Sequence, residues 1–499
     1  MGSPESGAAS AVAYPLPGPN PVPAGAYDLH ELGYLEQEFV LRGSATSYRL
    51  AGDRSPDGRW AALPHQAAPF ATRLIVRRPA GEAAFSGTVV VEWLNVSGGL
   101  DAAPDWMLSH THLIRRGHAW VGVSAQRAGI EGGGLVGGLH LKKAFPDRYA
   151  LLDHPGDAWS FDIFSHAGRA LTSPRTEAGA NAGRALTSPR TVAGAGVAPL
   201  GPLRPDRLLA TGHSQSAAFL VTYVNAIDRH AAVYDGFHVH GRGADGACID
   251  RGFRPARRRE QTSASGGGSS PEPPRGGERI RADVRVPVLV LQTETDVALL
   301  GSGLADQPDS DLVRLWELAG AAHADTYLLA ASHYDNGQLP AARLAELLKP
   351  TTRTIAGATD FPINSGPQQH YVACAAIEHL NAWAADGTPP PAAPRLDAKP
   401  GGGDFHRDYY GIATGGIRTP WTDVPAATLS GLGQSGSFFA FLFGTTDEIG
   451  LDELSRLYPG GPADYLARFE SALDSAIAGG FLLAEDRAEA LGLAGAAFA

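Results

Sequence analysis

Short continuous runs of apolar residues, spaced along most of the chain, are the feature that most constrains its fold. The runs are TVVVEWLN, AWVGVSAQ, RLLATG, GFHVHG, VPVLVLQTETD and LVRLWELAG, which begin at residues 88, 119, 207, 236, 286 and 312. Continuous rather than alternating apolar patterns are typical of strands that are buried on both faces, as in a parallel sheet covered by helices. Helical patterns lie between the runs, at 104–116, 158–171 and 216–227. Strands that alternate with helices predict an α/β fold with a mostly parallel central sheet and helices on both faces.

Composition divides the chain into a leader, a core and a C-terminal segment. Residues 1–28 contain many Gly, Pro and Ala residues and no long apolar stretch, and we expect a disordered leader there. Residues 29–395 form the predicted core, which opens with a β-rich N-terminal segment. A Pro- and Gly-rich stretch at 388–403 marks the start of the predicted C-terminal accessory segment, 396–499. We expect this segment to pack on the core, and we hypothesise that it forms a lid.

Two stretches inside the core are predicted loop expansions, at 167–199 and 254–280. The first contains AGRALTSPRTEAGA followed by AGRALTSPRTVAGA, an almost exact duplication. Two copies are too few for a solenoid, so the duplication fits a tolerated loop. The second is rich in Gly, Ser and Pro and has no apolar face, which predicts a mobile surface loop. Because such a loop makes a poor lid, the lid hypothesis turns to the C-terminal segment, around 415–425.

The composition argues against several classes of function. Lys and Arg number 41 against 52 Asp and Glu, a formal net charge of −11 without a sustained basic block, which argues against nucleic acid as a partner. No run of about 18 apolar residues exists, so the sequence predicts no transmembrane helix and no membrane partner. The two cysteines, Cys248 and Cys374, form no CxxC or zinc pattern and cannot build a disulfide scaffold.

The N-terminus lacks the basic start and the apolar stretch of a secretory signal. The sequence is therefore compatible with two cellular locations. The protein is cytoplasmic by the absence of a signal peptide, or secreted if residues 1–3 replace a signal that was removed. The sequence leaves the oligomeric state undecided.

A candidate nucleophile stands where the run RLLATG ends. There the chain reads Gly212-His213-Ser214-Gln215-Ser216, and a helical pattern begins at once. This layout is typical of a nucleophile elbow, a tight strand-to-helix turn that exposes a serine hydroxyl. The residues two before and two after the nucleophile pack closely against the turn, so both must be small. Gly212 fits the G-x-S-x-G pattern, and Ser216 departs from it but is small.

A serine nucleophile needs a base and an orienting carboxylate, in the chain order Ser, then Asp or Glu, then His. The run VPVLVLQTETD ends in Glu294 and Asp296, and LVRLWELAG leads into His323. Because the carboxyl ends of parallel strands meet at one edge of a sheet, we expect Ser214, Asp296 and His323 to converge there. Glu294 remains an alternative as the acid itself or as a hydrogen-bonding partner of the site.

Backbone N–H groups must stabilise the tetrahedral oxyanion in such a site. We expect one from Gln215, at the start of the helix after Ser214, where free donors and the helix dipole both help. We expect the other from the loop after VVVEWLN, where Asn95 and Val96 are the candidates.

Further polar residues are candidates for the pocket or for substrate binding. His213 lies beside the nucleophile, and His238 and His240 stand two apart on a predicted strand, so their side chains face the same side. No third metal ligand follows at suitable spacing, so we favour packing or pocket lining and expect no metal. Arg418 is a candidate for recognising a substrate carboxylate or phosphate, with a surface ion pair as the alternative.

The chain resembles the α/β-hydrolase superfamily, and within it a group of large bacterial proteins labelled only as alpha/beta hydrolase domain proteins. The resemblance runs from about residue 30 to near the C-terminus, through VVVEWLNVSGG, WVGVSAQRAGIEG, HPGDAWSFDIFSHAGRAL, LLATGHSQSA, LQTETD, ELAGAAHAD, INSGPQQHYV and GGIRTPWTDVP. It implies a serine hydrolase that cleaves carboxylic esters, with Ser214 as nucleophile, His323 as general base and Asp296 as orienting acid. It does not define the substrate.

The leading hypothesis is therefore a serine esterase that acts on a small-molecule ester without a cofactor. Among enzymes, the alternatives are a lactonase, an acyltransferase or a peptidase with the same triad. Outside enzymes, the alternative is a binding module on the hydrolase fold, because a fold does not dictate a function. The presence of all three triad residues favours catalysis.

Overall fold

A computed structural model of the chain describes residues 11–134, 139–172, 196–252 and 276–497. Its centre is a nine-stranded sheet made of β1 (Val12–Leu16), β2 (Tyr34–Leu50), β3 (Ala62–Pro79), β4 (Thr88–Trp93), β5 (Ala119–Val123), β6 (Arg207–His213), β7 (Gly236–His240), β8 (Val288–Thr293) and β9 (Val313–Leu318). The strand order is β1-β2-β3-β5-β4-β6-β7-β8-β9. From β5 to β9 every neighbouring pair is parallel, whereas β1, β2 and β3 join the sheet in antiparallel pairs.

Fifteen α-helices lie in the described residues, some between the strands of the sheet and the others after β9 in the chain. They are α1 (Pro104–Arg115), α2 (Arg127–Glu131), α3 (Leu141–Ala144), α4 (Pro146–Tyr149), α5 (Ser160–Thr172), α6 (Gln215–Thr222), α7 (Asp228–Ala231), α8 (Glu294–Ala298), α9 (Thr326–Leu329), α10 (Ala341–Leu347), α11 (Gln368–Asp386), α12 (Pro420–Asp423), α13 (Leu451–Leu457), α14 (Pro462–Ala478) and α15 (Arg487–Ala497). A π-helical turn, Tyr223–Ile227, joins α6 to α7. Two small antiparallel pairs are β10 (Arg353–Thr354) with β11 (Gly357–Ala358), and β12 (Ala427–Ser430) with β13 (Thr445–Glu448).

The side chains of β4 explain why both faces of the sheet are covered. Val89 and Val91 pack in one apolar cluster with side chains of α5 and α6, whereas Val90 packs with side chains of α1 and α11. Every residue of β4 is buried, as the continuous apolar run predicts. The predicted α/β fold is confirmed, including the mostly parallel sheet and the β-rich N-terminal segment.

The predicted disordered leader over 1–28 is wrong for β1. Val12–Leu16 pair with β2 as the edge strand of the sheet, in a register that places Ala13 opposite Leu41. Ala13 is buried against the core, and Pro15 is tolerated because an edge strand leaves one side without a partner. Residues 1–10 lie outside the described part of the chain.

Both predicted loop expansions begin or end in ordered structure. Residues 167–172 form the last turns of α5, so the predicted start of the first expansion at residue 167 is wrong. At the end of the second, Glu278 and Ile280 are buried, and the Glu278 N–H donates to the Ala244 carbonyl. The duplication beyond residue 172, to 195, and residues 253–275 lie outside the described residues.

The C-terminal segment continues the packing of the core. Ile417 forms a parallel bridge with Leu318 at the free edge of β9. Tyr371 of α11, Phe469 of α14 and Leu493 of α15 belong to one buried apolar cluster. The cluster therefore contains residues of both the predicted core, 29–395, and the predicted C-terminal segment, 396–499. Among the described helices, none is both long and apolar enough to cross a membrane.

Candidate active site

Ser214 lies on a tight turn between β6 and α6. The strand ends at His213 and the helix begins at Gln215, so a single residue joins them. A φ of 64° and a ψ of −120° strain a residue with a side chain, and among the described non-glycine residues only Ala232 also has a positive φ. Ser214 is partly exposed, whereas both of its neighbours are buried.

Small residues on either side permit this turn. A Cβ built on Gly212 would lie 3.1 Å from the Cβ of Ser216 and 3.2 Å from the Leu220 side chain. Ser216 is fully buried at this contact. The elbow therefore tolerates serine in place of the second glycine of the G-x-S-x-G pattern, because a hydroxymethyl group still fits beneath the turn.

The structure brings Ser214, His323 and Asp296 together. The Nε2 atom of His323 lies 2.9 Å from the Oγ atom of Ser214, and its Nδ1 atom lies 2.5 Å from Oδ1 of Asp296. His323 follows β9, and Asp296 lies in α8 directly after β8. Parallel strands bring these three positions to the same edge of the sheet, so residues far apart in the chain form one continuous set of hydrogen bonds.

The carboxylate of Asp296 is fixed by the residue that caps its helix. Oδ2 of Asp296 accepts from the Thr293 N–H at 2.7 Å and from the Thr293 hydroxyl at 2.8 Å. Asp296 is fully buried, so these bonds satisfy one oxygen while the other faces His323. The same capping bonds that start α8 thus aim the carboxylate at the imidazole.

Glu294, the alternative acid, serves a different part of the molecule. Its Oε1 accepts from the Gly320 N–H at 2.7 Å, and its Oε2 accepts from the Gly431 N–H at 2.9 Å and the Ser430 hydroxyl at 3.0 Å. Burial raises the pKa of Glu294 above its usual range, and these donors partly oppose that shift. Glu294 therefore ties the loop after β9 to the C-terminal segment, and Asp296 is the carboxylate on the imidazole.

Two of the three oxyanion-hole candidates, Gln215 and Val96, have a backbone N–H without a hydrogen-bond partner among the described residues. The N–H of Gln215 is the first in α6 and has no helical carbonyl four residues before it. The N–H of Val96 makes no hydrogen bond within the described parts of the chain. The choice of Asn95 as a backbone donor is wrong, because its N–H donates to the Ala102 carbonyl at 2.9 Å. Its side chain instead donates from Nδ2 to the His213 carbonyl at 3.0 Å.

Gln126 is a site residue that the sequence reasoning missed. Its Nε2 donates to Oε1 of Gln215 at 3.0 Å and to the Leu94 carbonyl at 3.3 Å. Gln215 donates back from its own Nε2 to Oε1 of Gln126. This buried amide pair joins the elbow to the loop that carries Val96. The available signal was the position of Gln126 just after β5, at the same sheet edge as the other site residues.

A family model described as "Alpha/beta hydrolase domain" matches residues 4–492, which is almost the whole chain. The chain belongs to this α/β hydrolase family. A comparison with curated proteins gives no significant match.

Solved structures of hydrolases are similar to parts of this α/β hydrolase. An α/β serine hydrolase without a lid from Xanthomonas campestris is 12% identical and aligns over 55% of this chain and 83% of its own, with a TM-score of 0.25. A thermostable esterase from Pseudomonas putida is 15% identical over 59% and 75% of the two chains, with a TM-score of 0.27. A fungal esterase from Rhizomucor miehei is 11% identical over 61% and 85%, also with a TM-score of 0.27.

His213 packs against the imidazole of His323 in the α/β hydrolase. The centroids of the two rings are 4.6 Å apart, and the ring of His240 lies 4.6 Å from His213 in an edge-on contact. Burial, followed by the neighbouring imidazoles, holds the pKa of His213 well below its ordinary value. The His213 ring is therefore neutral near neutral pH and places no positive charge beside His323.

The expectation that His238 and His240 lack a third metal ligand is wrong. Asp105 of α1 comes close to both rings, and the three residues form a fully buried group. Both oxygens of Asp105 are already bonded, Oδ1 to Nδ1 of His240 at 2.8 Å and Oδ2 to the hydroxyl of Thr211. Burial lowers the pKa of His238 to about 3, so this ring is neutral. The group is a hydrogen-bonded network behind the site.

Arg418 lies in ion pairs of the C-terminal segment. Its guanidinium donates to Asp423 at 2.6 Å and to Asp408 at 2.9 Å, and also to the carbonyls of Ala413 and Thr422. These contacts match the ion-pair alternative for Arg418. The candidate role in recognising a substrate is not supported, because the guanidinium is engaged in bonds within the C-terminal segment.

Proposed function

We propose that this α/β hydrolase is a serine hydrolase that cleaves carboxylic esters of small molecules through an acyl-enzyme, without a cofactor. The observation that carries the proposal is the continuous hydrogen bonding from the Ser214 hydroxyl through His323 to Asp296. A serine hydroxyl is a weak nucleophile, and a hydrogen-bonded imidazole oriented by a carboxylate is the arrangement that activates it.

The proposed reaction uses His323 first as a base and then as an acid. Nε2 of His323 takes the proton of Ser214 as Oγ attacks the ester carbonyl, and the tetrahedral intermediate collapses when His323 gives that proton to the leaving alcohol. Water then attacks the acyl-enzyme with His323 again as base, which releases the carboxylic acid and restores the Ser214 hydroxyl. Asp296 holds the Nδ1–H of His323 throughout and stabilises the transient imidazolium.

The negative charge of the intermediate needs fixed donors. The N–H groups of Gln215 and Val96 are the two proposed donors, since neither has a partner within the described chain. Gln126 is proposed as a positioning residue, because its amide pair with Gln215 joins the two loops that carry these donors.

The proposal is tested with short-chain p-nitrophenyl esters and a fluorophosphonate probe on the full chain. The wild type should turn over esters and be labelled, and Ser214→Ala should lose at least about 10³-fold in kcat and all labelling. Ser216→Ala is the matched control, because this buried serine lies two residues away and its hydroxyl has no hydrogen-bond partner among the described residues.

The same experiment separates the alternatives. Absence of both turnover and labelling across a broad panel of esters would favour a binding module. Labelling of Ser214 with turnover of lactones or peptides, but not of open-chain esters, would move the assignment to another acyl-transfer reaction with the same triad.

A further inference from the structure

A second cluster of polar side chains lies at the edge of the sheet opposite the active site. His112 comes from α1, His118 precedes β5, and Glu378 comes from α11. Since Gln126 and the active site lie beyond the carboxyl end of β5, the cluster at its amino end is separate from the triad. It has no part in the proposed ester hydrolysis.

Three imidazole nitrogens in this cluster are buried and have no hydrogen-bond partner among the described residues. They are both ring nitrogens of His112 and Nε2 of His118, on residues that are 0% and 2% exposed. Buried polar atoms in folded proteins are nearly always bonded, and leaving one without a partner is costly. A neutral imidazole carries one lone pair, so each of the two rings offers one nitrogen to a ligand that accepts it.

The geometry of the cluster fits a metal ion. One ligand atom from each of the three residues lies within 4.8 Å of the others, and Nε2 of His112 is 3.4 Å from Oε2 of Glu378. A tetrahedral zinc ion with donors at about 2.1 Å places those donors roughly 3.4 Å apart.

Neighbouring groups orient these ligands. Nδ1 of His118 lies 2.6 Å from the Ser86 hydroxyl, and this hydrogen bond fixes the orientation of the ring. Arg116 donates to both oxygens of Glu378, at 2.6 and 3.0 Å, and so holds the carboxylate beside His112.

We propose that His112, His118 and Glu378 bind one divalent transition-metal ion of the zinc class. Two imidazoles and one carboxylate form a ligand set that suits zinc. The Glu378 side chain is 28% exposed, so an ion can reach the cluster from this side. The bound ion fastens α1 and α11 to the start of β5. The Asp105 group behind the active site is the poorer candidate, because both ring nitrogens of His240 already have hydrogen-bond partners, Asp105 and Gln369.

The test titrates the full-length protein, stripped with a chelator, with Zn²⁺ by calorimetry and with Co²⁺ by visible absorption. The parent should bind one equivalent at micromolar affinity or tighter, with the spectrum of a four-coordinate site, and its Tm should rise. Glu378→Gln and His118→Gln should each weaken binding at least about tenfold. Glu485→Gln is the matched control, because this carboxylate lies 3.5 Å from Arg116 but outside the cluster.

Glu378→Gln keeps the test decisive if His118→Gln fails to fold, since Glu378 is only partly buried. The proposal is overturned if the stripped parent binds neither ion stoichiometrically, or if Glu378→Gln binds as tightly as Glu485→Gln. It is also overturned if His238→Gln abolishes binding while Glu378→Gln retains it, because the ion would then belong to the Asp105 group.

Discussion

Glu294 and Asp296 are both carboxylates at the end of β8, and their surroundings separate their roles. Asp296 contacts His323, whereas Glu294 accepts hydrogen bonds from the loop after β9 and the C-terminal segment. Asp296→Asn should lower kcat by about 10⁴-fold, because the amide favours the wrong imidazole tautomer. Glu294→Gln should leave kcat within a few fold and lower the free energy of unfolding by about 1–3 kcal/mol, since its NH₂ would face backbone donors.

Ester kinetics measure kcat for both variants, and urea unfolding measures their free energies of unfolding. A large loss of kcat in folded Glu294→Gln, with Asp296→Asn nearly unaffected, would exchange the two roles. Equal losses of kcat in both variants would mean that both carboxylates are needed to orient the imidazole of His323.

Asp325 makes the stability of the protein depend on pH. It caps α9 by accepting from the Leu328 N–H at 2.9 Å, and burial raises its pKa to about 7. An unfolded aspartate titrates near about 3.9, so the unfolded state binds fewer protons between these values and stability falls as the pH rises. Asp325→Asn keeps the cap but cannot ionise. The wild type should therefore lose on the order of 2–3 kcal/mol relative to this variant between pH 5 and pH 8.

Urea unfolding of both proteins at the two pH values measures that difference. Groups that titrate in both proteins, such as Glu317, cancel in the comparison. A wild type that keeps the same stability relative to Asp325→Asn at both pH values would show that Asp325 is not held in its neutral form.

At the scale of elements, the sequence predicted the strands and turns whose structure is determined by a local residue pattern. The continuous apolar runs identified the parallel strands, and the strand–turn–helix pattern around Ser214 identified the elbow. The edge strand Val12–Leu16 was missed, because its order depends on pairing with β2 and not on its own Pro-containing sequence. The N–H of Asn95 was misjudged for the same reason, since its bridge to Ala102 is made by the folding back of a loop. Contacts between loops, such as that of Gln126 with Gln215, leave no periodic signal.

The end of β7 limits the space around the imidazole. Gly241 has a φ of +60°, and a Cβ there would lie 3.1 Å from Nε2 of His213 and 3.2 Å from Cε1 of His323. Gly241→Ala should therefore displace the His323 ring and lower kcat by roughly 10- to 100-fold, because small misplacements of a reacting group are costly. Ester kinetics at saturating substrate measure this effect.

Gly387→Ala is the matched control for Gly241→Ala. Gly387 ends α11 with a φ of +81°, so alanine strains the backbone there in a similar way, but no atom of the described residues lies within 4 Å of the added Cβ. Only Gly241→Ala should change kcat. Equal kinetic effects would assign the loss to backbone strain and not to contact with His323.

At the scale of the whole molecule, the C-terminal segment contributes both to the core and to the support of the site. Ile417 bridges to Leu318 at the edge of β9, and Gly431 donates to Glu294, which also holds the loop that leads to His323. Deletion of residues 401–499 should therefore abolish cooperative unfolding as well as ester turnover, measured by near-ultraviolet circular dichroism and kinetics. A truncated protein that folds and keeps full turnover would contradict both the lid hypothesis and this structural role.

A single substitution tests the same role without removing the segment. Phe469 of α14 is fully buried in the apolar cluster shared with α11, so Phe469→Ala should lower the free energy of unfolding by about 3–5 kcal/mol. Its kcat per folded molecule should stay near that of the wild type, because the Phe469 ring packs against Trp421 and Tyr465, which make no hydrogen bond to His323. Urea unfolding and kinetics well below the unfolding transition separate the two quantities. Lost stability with unchanged kcat would assign α14 to the core, whereas lost kcat with unchanged stability would mean that this helix shapes the substrate site.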